Sequence, residues 1–123
     1  MKEMTLNEYQ EKAMSTCLPA CDNDMYMLTG LTAEIGEIND KVAKWVRKGI
    51  VRIDNNNLRF NTANPEEISA YVEELMKELG DVLWFVAGLS NTLCADLNVV
   101  AQCNLDKLAN RKNTGTIITH TDH

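Results

Sequence analysis

Apolar residues recur at intervals of three and four along four segments of the chain, a pattern typical of amphipathic helices that turn one face toward a core. Together with flanking cap residues, this pattern predicts helices over about 5–17, 23–48, 65–93 and 96–112. The predicted core stripe of the second helix is Leu28, Leu31, Ile35, Ile38, Val42 and Val46. That of the third is Ile68, Val72, Leu75, Leu79, Val82, Val86 and Leu89. Four such helices predict an all-α, four-helix bundle-like domain.

Residues typical of helix starts stand before each predicted helix, because their side chains accept hydrogen bonds from the first free backbone amides. They are Thr5 with Glu8, then Asp22 or Asp24, then Asn64 with Pro65, and finally Asp96. Between the two long helices, residues 50–64 alternate short apolar residues around an asparagine cluster, which predicts a loop or a small hairpin. Residues 116–123 are expected to form a flexible tail.

The composition indicates a single domain over residues 1–123, with 45% hydrophobic and 24% charged residues. A net charge of −6 excludes polymeric nucleic acid as an expected partner, since a phosphate backbone requires a basic surface. No apolar run approaches the roughly 20 residues of a membrane span or forms a signal peptide, which predicts a cytoplasmic protein without a membrane partner. The cysteines show no CxxC spacing and are expected to be reduced; they are Cys17, Cys21, Cys94 and Cys103.

Two short segments repeat the same chemistry: EIGEI begins at Glu34, and ELGDV begins 44 residues later at Glu78. Each places two acids three residues apart on a helix, where they share a face and repel each other. Glu34 and Glu78 each precede a predicted core residue, so both pairs, completed by Glu37 and Asp81, are expected at the edge of an apolar stripe. If the stripes pack together, the four carboxylates converge.

Convergence of acids carries a cost, since two like charges 4 Å apart repel by about 4 kcal/mol at an effective dielectric of 20. Mg²⁺, or Mn²⁺ in its place, removes that repulsion, because hard cations prefer carboxylate oxygens. We expect Gly36 and Gly80 to allow the close approach of the two helices. The competing interpretation is a pair of solvated acidic faces. A ferritin-like di-iron site is disfavoured, because the only histidines are His120 and His123 in the tail.

The acid pair Glu34 and Glu37, the pair Glu78 and Asp81 within EELMKELGDVLWFVA, and the later run NLDKLANR resemble the MazG-like nucleotide pyrophosphohydrolases over roughly residues 28–116. The resemblance implies an all-α fold whose four acids hold Mg²⁺. It also implies hydrolysis of a (d)NTP to (d)NMP and pyrophosphate by water attack at the α-phosphate, with one glutamate orienting or deprotonating that water. A homodimer or homotetramer that completes the bundle is implied as well.

Further along the chain, Lys107 and Arg111 lie one helical turn apart and are expected to meet the β- and γ-phosphates, while Asn104 is expected to hydrogen-bond phosphate or sugar. Trp45 is a candidate for stacking on the base. Each has a structural alternative: solvated cations for the first two and a core position for the tryptophan. The sequence departs from many relatives after Arg111, where Lys112 and Asn113 replace an aromatic residue and a proline.

Two other functions stay open at this point. One is a non-catalytic helical module that binds a nucleotide or a partner, and the other is a structural or regulatory dimer. The preferred base and sugar, and the biological role among clearing damaged nucleotides, lowering a signalling nucleotide and adjusting nucleotide pools, do not follow from the sequence.

Overall fold

The computed structural model describes residues 2–114, and over this range the all-α class is confirmed. Four α-helices and one β-hairpin follow in the order α1 Leu6–Met14, α2 Asp24–Arg47, β1 Val51–Asp54, β2 Asn57–Phe60, α3 Pro65–Thr92 and α4 Leu97–Thr114, with a short 3-10 turn at Pro19–Cys21. The tail predicted over 116–123 lies outside the described residues. Among those that are described, no single helix has both the length and the apolar composition of a membrane span, and α3 and α4 meet such a test only when taken together across a 98° bend.

The caps of the helices explain where they begin. Thr5 Oγ1 accepts a hydrogen bond from the Glu8 amide at 3.1 Å, as the capping signal predicted. Asn64 Oδ1 accepts from the amide of Glu66 at 2.9 Å and opens α3, again as predicted. The prediction for α2 was wrong by one residue, because Asn23, and neither Asp22 nor Asp24, accepts from the Tyr26 amide at 2.8 Å.

The start of α4 is capped from another helix. The Leu97 amide donates to Gln10 Oε1 and the Asn98 amide donates to Asn7 Oδ1, each at 2.9 Å, so the side chains of α1 do what was expected of Asp96. Gln10 also donates from Nε2 to the carbonyl oxygens of Ala87 at 3.3 Å and Ala95 at 3.1 Å. One buried side chain therefore ties α1 to the corner between α3 and α4.

The first helix is shorter than predicted. It ends at Met14 because the hydroxyls of Ser15 and Thr16 donate to the carbonyls of Lys12 and Ala13, each at 2.6 Å, which diverts the chain into a turn.

Residues 50–64 contain the hairpin rather than an open loop. Strands β1 and β2 pair antiparallel with Val51 opposite Phe60 and Asp54 opposite Asn57. Asn55 and Asn56 between them have φ of +52° and +67°, the left-handed pair that a tight type I′ hairpin turn needs and that asparagine tolerates well. Val51, the first residue of β1, is fully buried, so the inner face of the hairpin packs on the helices.

Helices α2 and α3 pack side by side and run antiparallel, since Met27 lies against Gly88, Gly30 against Phe85, and Trp45 against Tyr71. The face that each turns inward differs from the predicted stripe. Ile35 is 49% exposed and Leu79 is 57% exposed, although both were predicted to be core. The helices carry more apolar positions than one partner helix can cover, so one apolar strip is buried and the neighbouring strip faces outward.

The expected role of Gly36 and Gly80 was wrong within this chain. A Cβ built at either position has nothing within 4 Å, whereas one at Gly30 would overlap the Phe85 ring and one at Gly88 would overlap the Met27 side chain. Gly30 and Gly88 are therefore the positions where α2 and α3 approach closely. Phe85 has little freedom to move, because its ring also contacts Tyr26 and Trp84 at centroid distances of 5.8 and 5.0 Å.

Gly30→Ala is expected to destabilise the fold by about 1–3 kcal/mol, since the added methyl group must displace a packed ring. The matched control is Gly36→Ala on the same helix, where removing a helical glycine should be neutral or stabilise by up to about 1 kcal/mol. Urea denaturation followed by circular dichroism measures both. Equal stability of Gly30→Ala and wild type would contradict the proposed close approach, and a loss at Gly36 would indicate a contact outside the single chain.

Candidate metal centre

Three of the four predicted acids come together between the two long helices. Carboxylate oxygens of Glu34 on α2 and of Glu78 and Asp81 on α3 all lie within 4.8 Å of one another. The matched spacing of the two acid pairs and the antiparallel packing bring them to the same level. Glu34 and Glu78 are half-buried, and Asp81 is at the solvent edge. The acids lie in the seam itself, because the helices are rotated from the predicted orientation.

Glu37, the fourth acid, contacts Glu34 but is not one of the three acids whose oxygens lie within 4.8 Å of one another. Its side chain is exposed one turn further along α2 and does not belong to the three that converge. It still acts on the group electrostatically, because its proximity is the largest contribution after burial to the raised pKa of Glu34. Glu37 also lines a cavity that adjoins the seam.

Negative charge on the three acids is unfavourable, because the carboxylates are close together and partly buried. Burial raises the pKa of Glu34, and the nearby carboxylates of Glu37, Asp81 and Glu78 raise it further. Within residues 2–114, the Oε2 atoms of Glu34 and Glu78 are buried and have no hydrogen-bond partner. A buried polar atom in that position costs about 1–3 kcal/mol. The carboxylates of Glu34, Glu78 and Asp81 form an all-oxygen, anionic and partly open set, which is the donor chemistry that Mg²⁺ and Mn²⁺ take.

A lysine that is not among the predicted site residues, Lys41, lies beside the acids. Lys41 Nζ is 3.8 Å from Glu78 Oε1 and 4.0 Å from Glu74 Oε1, and it stands 5.9 Å from the centre of the Trp45 ring. The sequence spacing indicates this position, since Lys41 follows Glu34 by seven residues and Glu37 by four, which places all three on one helix face.

The cavity beside the acids is open to solvent and has a volume of about 410 Å³. Its lining comes from α2, the C-cap residue of α2, and α3, and consists of Glu37, Asp40, Lys41, Lys44, Trp45, Lys48 and Glu78. Lys44 donates to Asp40 at 2.8 Å, and this contact lowers the pKa of the Asp40 carboxyl. The cavity therefore has Glu37 and Glu78 beside the acid group, and a row of lysines in which Lys44 is paired with Asp40.

The first helix reaches the edge of the site as well. Trp84 Nε1 donates to the Ala13 carbonyl at 3.2 Å and to Thr16 Oγ1 at 3.0 Å, which fixes α1 against α3. Burial raises the pKa of Tyr9 on α1, and the charge of Asp81 raises it further.

Of the residues predicted to contact substrate, Trp45 is largely buried, and those on α4 do not line the cavity beside the acids. Trp45 is only 7% exposed and packs in an aromatic cluster with Tyr71 and Phe60, at centroid distances of 5.2 and 6.2 Å. A ring packed in this way leaves little face for a nucleobase, so the core alternative describes its position better. On α4, Asn104 and Lys107 are exposed and Arg111 is half-buried. None of the three is among the residues that line the cavity beside the acids.

Comparison with known proteins places this geometry in a family. The family model described as the MazG nucleotide pyrophosphohydrolase domain matches residues 23–116, which include both acid pairs and the whole of α4. The Gene 37 protein of Mycobacterium phage L5 is 38% identical over 94 residues, covering 75% of this chain and 68% of the phage protein. No solved structure gives a significant match. With the family match spanning α2 to α4 and the acids of both helices converging, the chain belongs to the MazG nucleotide pyrophosphohydrolase domain family.

Proposed function

We propose that this protein hydrolyses nucleoside triphosphates, (d)NTP plus water giving (d)NMP and pyrophosphate, in the presence of Mg²⁺ or Mn²⁺. The observation that supports this most is the group formed by Glu34, Glu78 and Asp81, whose oxygens converge within 4.8 Å in a member of a pyrophosphohydrolase family. Two of these side chains present buried oxygens without a protein partner in the described part of the chain. Such a group is stabilised by a cation and destabilised without one.

In this proposal Glu34, Glu78 and Asp81 hold the divalent cation. When bound, such ions neutralise phosphate charge, align the phosphates and make a bound water more acidic. Glu37 is left outside the group, exposed at the cavity edge, where its carboxylate can accept a hydrogen bond from an attacking water. We assign it that orienting role. Phosphoryl transfer depends on positioning and charge stabilisation, so no serine or cysteine nucleophile is required.

Asn104, Lys107 and Arg111 stay in the proposal as phosphate or sugar contacts, supported by the resemblance of NLDKLANR to the family's run. Trp45 is not retained as a base-stacking residue, because its ring is buried against Phe60 and Tyr71.

We also propose that the chain assembles with a second copy of itself. Large apolar side chains are exposed along the outer strip of α2 and α3: Leu28, Ile35, Val46, Val72, Met76, Leu79 and Leu83. This strip lies directly beside the acids, since Ile35 follows Glu34 and Leu79 follows Glu78. Contiguous exposed apolar surface of this kind is typical of interfaces, and two α2–α3 pairs joined along it make a four-helix core.

The reaction is tested by incubating the protein with a panel of canonical and modified NTPs and dNTPs plus Mg²⁺ and measuring pyrophosphate release. Glu78→Gln should lower the rate by at least about 100-fold, since it removes a charged ligand of the metal. Glu73→Gln is the matched control on the same helix, because Glu73 pairs with Lys77 outside the acid group, and it should keep the wild-type rate.

Absence of turnover of every nucleotide by the wild type, in Mg²⁺ and in Mn²⁺, would contradict the proposed reaction. Nucleotide binding without product would instead favour the non-catalytic module.

Metal binding is tested by thermal melting with and without Mn²⁺. Saturation at 100 times the dissociation constant should stabilise the wild type by about 2.7 kcal/mol. Glu34→Gln should lose most of this gain and should melt higher than the wild type without metal, because Gln removes both the burial of a charge and the repulsion from the nearby carboxylates, which together raise the Glu34 pKa. A carboxyl group whose pKa is raised by folding costs the folded state no stability when the pH is below its ordinary pKa of about 4.3. As the pH rises through the raised pKa, the folded state loses stability relative to the unfolded state. The advantage of Glu34→Gln should therefore be full at neutral pH and disappear in acid.

A melting temperature that does not respond to Mn²⁺, with Glu34→Gln no more stable than the wild type, would contradict the metal assignment.

The second copy is tested by light scattering on a size-exclusion column. The wild type should have twice or four times the chain mass of 13.8 kDa, and Leu79→Glu should shift it to a single chain, since a carboxylate cannot be buried in an apolar interface without a partner. Val99→Glu on α4 is the control, because Val99 is 54% exposed but lies off the strip, and its mass should match the wild type. A wild type of 13.8 kDa at tens of micromolar would contradict the assembly.

A further inference from the structure

Lys41 is held in place more firmly than an ordinary surface lysine. Its side chain is 27% exposed, and its ammonium lies between Glu78 and Glu74 at 3.8 and 4.0 Å, beside the buried Trp45 ring at 5.9 Å. Contact with both an aromatic ring and two carboxylates fixes the position of a cation. Lys44, by comparison, is 51% exposed and pairs with Asp40 on its own helix.

Glu78 is shared between Lys41 and the acid group. Its Oε1 atom faces Lys41 at 3.8 Å, while its buried Oε2 atom has no hydrogen-bond partner among the described residues and belongs to the side chain that converges with Glu34 and Asp81. Lys41 therefore balances part of the charge of the acid group. A cation bound by the acids would compete with Lys41 for Glu78, because both draw on the same carboxylate.

The cavity next to Lys41 is lined by three lysines and by three acids, Glu37, Asp40 and Glu78. It occupies about 410 Å³, and its lysines are Lys41 and Lys44 on α2 and Lys48, the C-cap residue of that helix. At 1.5 Å of rise per residue, Lys41 and Lys48 are separated by about 10 Å along the helix axis. Lysine side chains offer mobile point charges that suit phosphate oxygens. The row begins with Lys41 beside Glu78 and continues through Lys44, which is paired with Asp40, to Lys48.

We propose that Lys41 binds the outer phosphates of the substrate: it neutralises Glu78 in the metal-free protein and turns to the β- and γ-phosphates when a divalent cation takes Glu78, with Lys44 and Lys48 continuing the row. This rests on the proposed function for the identity of the anion. The pyrophosphate product carries the same two phosphates, so it binds the same lysines. Lys41 is then a substrate-binding residue that the sequence motif does not include.

The test uses Lys41→Met, which keeps the aliphatic stem beside Trp45 and removes the charge, and Lys41→Arg, which keeps the charge. Lys77→Met is the control, since Lys77 is exposed on α3 and pairs only at 4.0 Å with Glu73. Calorimetry first measures Mn²⁺ binding alone. Lys41→Met should bind Mn²⁺ as tightly as the wild type or more tightly, because a competing cation has been removed.

Pyrophosphate binding is then measured in saturating Mg²⁺, a readout that does not depend on turnover. Lys41→Met should bind it about 10-fold or more weakly, the equivalent of one lost charge-assisted hydrogen bond. Lys41→Arg should stay within about threefold of the wild type, and Lys77→Met should equal it. If Lys41→Met lacks the wild-type helical circular dichroism, Lys41→Gln takes its place.

Unchanged pyrophosphate affinity in the Lys41 variants, or no pyrophosphate binding by the wild type, would overturn the proposal. A loss of Mn²⁺ affinity in Lys41→Met large enough to account for the weaker pyrophosphate binding would also overturn it, because Lys41 would then only position Glu78. Failure of the proposed reaction gives a different result: pyrophosphate binding that depends on Lys41, with no nucleotide hydrolysed.

Discussion

The seam between α2 and α3 is the contact on which the rest of the structure depends. At one end Met27 and Phe85 fit only because Gly88 and Gly30 face them without side chains. At the other end Trp45 packs with Tyr71 and the hairpin residue Phe60. Apolar contacts at both ends hold the helices together across a middle that is acidic. Packing of this kind is non-directional but cumulative, and it supplies the free energy that keeps like charges close.

The middle of the seam is stabilised only in part by the protein itself. Lys41 balances one oxygen of Glu78, while the buried oxygens of Glu34 and Glu78 have no hydrogen-bond partner within residues 2–114. A fold that keeps such a group has its acids positioned before any ligand arrives, which is what a metal centre for phosphate chemistry requires. Other features adjoin this acidic region. The exposed apolar strip lies beside the acids, the lysine row starts next to them, and the charge of Asp81 acts on Tyr9 of α1.

Much of this could be read from the sequence, because helices and their starts follow from local chemistry. The periodicity and the caps at Thr5 and Asn64 predicted the helices, and the equal spacing within the two acid pairs predicted convergence. The rotation of the helices could not be predicted. Periodicity identifies apolar stripes but does not decide which of two adjacent stripes is buried when one chain cannot cover both, so Ile35 and Leu79 were misplaced.

Other features depend on contacts between residues far apart in the sequence. The glycines that matter are set by the large side chains opposite them, and no local pattern distinguishes Gly30 from Gly36. The cap of α4 comes from Asn7 and Gln10, about 90 residues earlier, and an N-terminal signal at Asp96 gives no indication of it. Lys41 becomes visible as part of the site only when Glu78 is placed beside it.

The central claim is that Glu34, Glu78 and Asp81 form one metal centre, and crystals grown with Mn²⁺ test it directly. Anomalous diffraction at the manganese edge should give a peak between these three side chains, with carboxylate oxygens at about 2.0–2.3 Å. A Glu78→Gln crystal grown in the same way should lose or weaken the peak. Saturating Mn²⁺ with no peak in the seam, or with the three carboxylates turned away from one another, would contradict the account.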